Sequence, residues 1–225
     1  ALREEEKPVD GTVITAGYQS GGRGQEGNSW ESEKGRNLLF TIILYPHFLR
    51  PDRQFRISMA ISAGIKSFLD RQTGDISIKW PNDIYAGNDK IAGILIENAI
   101  AGEKMVYSVI GIGLNVNQVS FSSALPNPVS LKLLTGKDYD NGLLLGSLLR
   151  EIDRQYALLR SGKAGVIEAY YHSSMYRRGR SHLFRSQGRE FSGVIEGVDN
   201  SGRLVVAEDG GRSLKAYMFR EIEYL

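Results

Sequence analysis

Hydrophobic and polar positions along this chain fall into two periods. Thr12–Tyr18 (TVITAGY), Leu38–Tyr45 (LLFTIILY), Ile76–Trp80 (ISIKW), Ile91–Glu97 (IAGILIE) and Met105–Val116 (MVYSVIGIGLNV) are β-branched or alternate apolar with polar, which predicts strands. Between the second and third, Ile57, Ile61, Ile65 and Phe68 or Leu69 recur every three to four residues, the period of an amphipathic helix. Leu145, Leu148, Leu149, Ile152, Tyr156 and Leu159 mark a second helix with Asp140 or Asn141 as its N-cap, and a third, shorter one fits Ala164 to Ser174. From about Arg178 the pattern changes to short strands, SHLFRS, EFSGVIEGV, RLVVAE and SLKAYMF, broken by turns at Asp199-Asn200-Ser201-Gly202 and Asp209-Gly210-Gly211. The expected class is α+β. A mixed central sheet with helices packed on one face would occupy residues 1–177, and a small SH3-like β-barrel residues 178–225.

Composition narrows the function. The chain has 225 residues, enough for one mid-sized core plus a small appendage. Hydrophobic residues at 41% and charged residues at 24% argue against disorder. No apolar run approaches the ~20 residues needed to cross a bilayer, and the opening ALREEEKPVD lacks the apolar stretch of a secretory signal, so no membrane partner and a cytoplasmic setting are expected. The 28 basic residues exceed the 26 acidic ones by only two, which gives no global field for nucleic acid. The absence of cysteine excludes disulfides, thiol nucleophiles and thiolate zinc sites. His47, His172 and His182 lie far apart, so no protein-held metal site is expected.

Candidate chemistry begins at Ser20 to Trp30, SGGRGQEGNSW, where Gly22, Gly24 and Gly27 match G-x-G-x-x-G. A dinucleotide fold needs a helix directly after this pattern, yet NSWESEKGRN has no apolar period, and neither a P-loop nor the kinase motifs are present. The segment reads either as a mobile surface loop or as one whose backbone N–H groups approach phosphate while Trp30 covers an aromatic ring. In VIGIGLNVN, alternation puts Ile110, Ile112, Leu114 and Val116 on a core face and Val109, Gly111, Gly113, Asn115 and Asn117 on the other. That second face would be nearly bare, open to a flat ligand, or else relieved of crowding against another segment. The same logic sets Lys79 opposite Ile78 and Trp80, as a solvated edge charge or as a cation for an anionic ligand.

GGRGQEGNSW, KWPNDIY, KIAGILIE and GIGLNVN stand in the order and at about the spacing seen in biotin protein ligases, also called biotin-[acetyl-CoA-carboxylase] ligases, and the chain resembles that family. The resemblance is strong over Thr12 to Asn117 and weaker to the C-terminus, where that family also carries a small SH3-like domain. It implies ATP-dependent formation of biotinyl-5′-adenylate, with Mg2+ accompanying the nucleotide, and transfer of biotin to a lysine of biotin carboxyl carrier protein. Carried over by position, Gln19, Gly22 and Arg23 would contact biotin, with Arg23 and its loop folding over the intermediate. Arg23, Gly24, Trp30 and Asn115 would serve the nucleotide, Lys79 would meet both the biotin carboxylate and the α-phosphate, and Gly111 and Gly113 would line the biotin site. Lys79 and Arg23 are thus the catalytic candidates. Lys90 and Gly93 match the family's next strand, while Asn82 and Asp83 fill a polar turn without an assigned role.

Two departures stand out. Gln25 occupies a place where the family often has a second arginine, and the Ser-Thr-Asn motif that usually precedes the first matching strand is not in this sequence, which opens on Ala1. Some relatives add an N-terminal DNA-binding domain; the few residues before Thr12 are too short for one, so repressor activity is not expected of this chain. The nearest alternative is a lipoate–protein ligase, whose R-R-x-S-G-G-G-A-V-x-H-D stretch is absent here. A noncatalytic binding module is the other, motivated by Arg177, Arg178, Arg180, Arg185 and Arg189. A homodimer is left open, and no base for the acceptor lysine is identified.

Overall fold

A computed structural model describes residues 7–211 and 213–225. The first part of the chain forms β1 (Thr12–Ala16), β2 (Gly22–Arg23), β3 (Ser29–Trp30), β4 (Leu38–Leu44), α1 (Phe55–Leu69), β5 (Ile76–Lys79), β6 (Asp83–Ala86), β7 (Asp89–Ala101) and β8 (Lys104–Leu114). Helices α2 (Leu131–Thr135), α3 (Asn141–Arg160) and α4 (Ala164–Ser173) follow, then β9 (Ser181–Ser186), β10 (Arg189–Val198), β11 (Leu204–Glu208), β12 (Ser213–Tyr217) and β13 (Glu223–Tyr224).

The main sheet runs β1-β4-β8-β7-β6-β5. The α+β class holds, but every strand pairing in this sheet is antiparallel rather than mixed. Parallel neighbours need a long crossover, and the helix-bearing crossover, α1, carries the chain from β4 to the far edge at β5, where the two are not adjacent. One face of the sheet buries Phe40, Ile42, Ile78, Ile84, Ile94, Ile110, Ile112 and Leu114 in a core shared with α1 and α3. Those helices meet at Gly64, where a Cβ would stand 2.6 Å from Ile152 Cα, so only glycine fits the crossing. Of the two candidate caps of α3, Asp140 does the work: its carboxylate accepts from Leu143 N–H at 2.9 Å. Asn141 donates instead to Gly35 O at 3.1 Å.

The C-terminal strands pair antiparallel in the order β12-β11-β10-β9-β13. Among the described residues no pairing joins β12 to β13, so this unit is a bent five-stranded sheet rather than a closed barrel. A bulge between Ile195 and Gly197 in β10 supplies a bend. Buried Glu208 accepts from Tyr217 Oη, Arg189 Nη2 (2.6 Å) and Lys215 Nζ (3.1 Å), which compensates the desolvation of its carboxylate and holds its pKa below the usual range.

This unit is docked on the first by specific contacts. Trp80 Nε1 donates to Gly202 O at 2.9 Å, and Ile78 exchanges backbone bonds with the link after α4, to Ser174 O (2.8 Å) and from Tyr176 N (2.9 Å). Val198 N–H donates to His172 Nε2 at 3.3 Å, which needs an unprotonated nitrogen there. Burial, with the Arg178 charge nearby, holds the His172 imidazole below its ordinary range against the opposing pull of Glu168. The native state therefore favours the neutral ring, so its contribution to stability is full above about pH 6.5 and is lost as pH falls through the lowered native value. The thermal midpoint should fall between pH 7 and pH 5 more steeply for the unaltered chain than for His172→Gln, and parallel curves from differential scanning calorimetry would refute this role.

Candidate active site

Directly opposed residues of an antiparallel sheet point to the same side. The pairs Lys79↔Asp83, Asp83↔Gly93, Gly93↔Gly113 and Gly113↔Leu39 therefore set one row of positions across five strands on the face away from the core. A second row runs Leu95↔Gly111↔Thr41. Over these rows folds the glycine-rich segment, as a hairpin in which Gly22 pairs with Trp30 and Arg23 with Ser29. Beneath it lies a cleft of about 420 Å³, with Phe219, Ile222 and Tyr224 of the C-terminal unit in one wall.

The two floor glycines differ. A Cβ on Gly113 would lie 2.4 Å from Trp30 Cε2, and one on Gly93 would lie 3.0 Å from Trp30 Cζ3, so the indole rests on both. The patch expected to be bare is covered at Gly113. At Gly111 the nearest atom to such a Cβ is Leu95 O at 3.8 Å, and the floor there is open to the cleft. Gly22 has a local reason to be glycine, since its Cβ would stand 2.5 Å from Trp30 O within the hairpin. Gln19, Arg23, Gly24 and Lys79 line the cleft with Trp30 and the floor glycines, whereas Gly22 and Asn115 are not on its lining. Strand β8 ends at Leu114, so the alternation that groups Asn115 with the glycines does not reach it. Its buried amide donates to Val129 O at 3.0 Å, and its Oδ1 has no partner among the described residues.

The charges of the cleft are mostly paired. Lys90 Nζ lies 2.7 Å from Asp83 Oδ1 and 5.8 Å from the Trp30 ring centroid. Arg23 and Glu97, both exposed, face each other at 3.5 Å. Lys79 is half-buried and donates to Tyr85 Oη at 3.0 Å; among the described residues no carboxylate lies within 4 Å of its ammonium. The turn between Lys79 and Asp83 is fixed by Asn82, which donates to Ile94 O at 2.7 Å and accepts from Ile94 N at 2.9 Å. The hairpin's base is tied down by a polar knot: Asn37 Nδ2 donates to Gln118 Oε1 (2.6 Å) and Ser32 Oγ (3.0 Å), and Glu33 N–H donates to Gln118 Oε1 (3.0 Å).

Three buried polar atoms of lining residues, Gln25 Oε1, Trp30 Nε1 and Tyr224 Oη, have no partner among the described residues. Each such atom costs about 1–3 kcal/mol when left unsatisfied. A cation with no described carboxylate within 4 Å, an indole and an open backbone floor suit a ligand that is anionic and partly planar. No cluster of three or more His, Cys, Asp or Glu side chains able to hold a metal occurs among the described residues. The basic residues near the C-terminal sheet are partly neutralised: Arg185 pairs with Glu190 and Glu223, and Arg189 with Glu208. No described helix is long and apolar enough to cross a membrane.

The wall residues Phe219, Ile222 and Tyr224 lie outside every quoted motif; they belong to the C-terminal unit, which meets the first where Trp80 donates to Gly202 O.

Comparison with known proteins agrees with this architecture. The biotin/lipoate A/B protein ligase family matches residues 2–115, and the biotin protein ligase C terminal domain matches residues 183–223. The bifunctional ligase/repressor BirA of Bacillus spizizenii is 28% identical over 208 residues, covering 90% of this chain and 63% of that protein, so the chain spans less than two thirds of this relative. The biotin–[acetyl-CoA-carboxylase] ligase of Mycobacterium tuberculosis is 26% identical over 210 residues, covering 92% of this chain and 76% of that one. Among solved structures, a biotin protein ligase from Aquifex aeolicus in complex with biotin and ATP shares the fold with a TM-score of 0.80 at 24% identity, covering 98% of this chain and 92% of that one.

The seat of Trp30 can be tested without any ligand. Gly113→Ala should displace the indole, shifting its emission in a Trp80→Phe background while the far-ultraviolet circular dichroism stays native. Unchanged emission would show that Trp30 does not rest on Gly113.

Proposed function

The chain belongs to the biotin/lipoate A/B protein ligase family, and from that premise we propose that it activates biotin with ATP and passes the biotinyl group to a lysine of a biotin carboxyl carrier protein. The observation that carries this reading is the row from Lys79 to Gly113, which sets an ammonium with no described carboxylate within 4 Å and a backbone floor beside the Trp30 indole in one cleft. In the first step a biotin carboxylate oxygen bonds to the α-phosphorus of ATP as the bond to the β-phosphate breaks, giving biotinyl-5′-adenylate and pyrophosphate. Two anions must approach, and unit charges ~4 Å apart repel by ~4 kcal/mol at an effective dielectric near 20. Lys79 offsets that repulsion, and most strongly where the charges converge.

Gln19 and Gly111 line the part of the cleft offered to biotin, together with Gly113 at the edge of the indole. Trp30, Arg23 and Gly24 serve the nucleotide from the hairpin, and Gly22 lets the hairpin close tightly on Trp30. The adenylate is a water-sensitive mixed anhydride, and the hairpin, latched by the Arg23–Glu97 pair, shelters it between the two steps. In the second step the carrier lysine attacks the biotinyl carbonyl, the bond to the phosphate oxygen breaks, and AMP leaves. For Mg2+ the cleft offers two carboxylates, Asp83 and Glu97. Binding through substrate phosphates plus one or two carboxylates fits that set once Asp83 is released from Lys90 or Glu97 from Arg23, and the ion would supply charge neutralisation to the pyrophosphate.

Incubation with biotin, ATP and a carrier domain, followed by intact mass, should show one biotinyl group added to the carrier, with none when lipoate replaces biotin. Transfer of lipoate alone would favour the lipoate ligase, and no transfer of either would refute ligase activity. Lys79→Ala should retain its thermal midpoint but lower biotin-dependent pyrophosphate release by about a hundredfold; release at the original rate would remove Lys79 from the mechanism.

A further inference from the structure

Lys79 is the cation on which the proposed first step depends, and what holds it comes from three separate parts of the chain. Its Nζ lies 4.7 Å from the ring centroid of Tyr85, 5.0 Å from that of Tyr224 and 5.9 Å from that of Tyr176, and it donates to Tyr85 Oη at 3.0 Å. Tyr85 belongs to β6, Tyr176 to the link after α4, and Tyr224 to the last strand of the C-terminal unit. The rings brace one another, with centroids 5.1 Å apart for Tyr85 and Tyr176 and 6.3 Å for Tyr176 and Tyr224.

Two of the rings are also fixed from outside. Tyr176 Oη donates to Asn88 Oδ1 at 2.8 Å, and Phe184 meets Tyr224 edge to face with centroids 5.4 Å apart. Strand β13 pairs with β9, and Arg177 Nη1 donates to Leu225 O at 2.7 Å, so the segment that bears Tyr224 is held on both sides.

Aromatic faces attract a cation through their quadrupole without contributing a formal negative charge. A carboxylate in this place would hold the ammonium equally well but would cancel the charge that two approaching anions need. We propose that Tyr224, together with Tyr85 and Tyr176, forms an aromatic cage that positions the Lys79 ammonium in the cleft, which makes the C-terminal unit a working part of adenylate formation. This inference rests on the ligase reading above. Tyr224 acts through its ring: its Oη is buried without a partner among the described residues, and burial keeps the phenol protonated.

The test is biotin-dependent pyrophosphate release by the full chain, with thermal midpoints measured alongside. Tyr224→Met fills the space but removes the π face, and it should lower kcat on the order of fivefold, the worth of one cation–π contact, with KM for ATP within twofold. Tyr224→Phe should recover most of that loss. Equal loss in both variants, or none in Tyr224→Met, overturns the cage. Should Tyr224→Met fail to fold, Tyr85→Phe reads the same ammonium from its other side: kcat should fall about threefold, the worth of one hydrogen bond, and an unchanged kcat overturns the cage. Absence of pyrophosphate release from the unaltered chain would refute the ligase reading and the cage with it, whereas release that ignores Tyr224 removes the cage alone.

Discussion

The close approach of an indole to sheet backbone is the constraint on which the rest of the site depends. Gly93 and Gly113 are opposed on neighbouring strands, so their missing side chains leave a single flat seat, and Trp30 occupies it. With Trp30 fixed, the tight pairing at Gly22 fixes the path of the hairpin, and the hairpin encloses the cleft against the floor at Gly111. A side chain at Gly113 would overlap the ring at 2.4 Å. The cleft thus owes its roof to positions where the sequence places no side chain at all.

Electrostatics then separates the charges of the cleft by task. Asp83 and Lys90 neutralise each other beside the indole, and Arg23 and Glu97 do so across the mouth, where solvent screens them and either can let go cheaply. Lys79 is treated differently, being surrounded by tyrosine rings rather than by carboxylates. Its charge stays available to a ligand in a partly desolvated place, where it counts for more than on an open surface. Lys90 is tied to Asp83 within the fold, whereas Lys79 is left free to meet an anion.

Much of this was legible in the residues. Helices α1 and α3 and the long strands follow from apolar period, and alternation correctly set Lys79, Gly111 and Gly113 on the face opposite Ile78, Ile110 and Ile112. Short elements escaped: β6 and α2 span four and five residues, too few to display a period. Alternation also carried past the end of β8, which misplaced Asn115, because a strand's end is set by its partners rather than by its own pattern. Whether Gly113 meets a ligand or another segment could not be read locally, since Trp30 lies more than eighty residues earlier in the chain. The tyrosine cage was invisible for the same reason: Tyr176 reaches Tyr85 where the link after α4 bonds to Ile78, and Tyr224 arrives with the last strand of the C-terminal sheet.

Crystals of the chain grown with biotin and ATP put the central claim to its most direct test. Density for a biotinyl-adenylate lying over Gly111, with the Lys79 ammonium in hydrogen-bonding contact with its phosphate or carbonyl oxygens and Trp30 beside the nucleotide, is the expected result. Nucleotide or biotin bound outside the cleft, while Lys79 still donates to Tyr85, would contradict it.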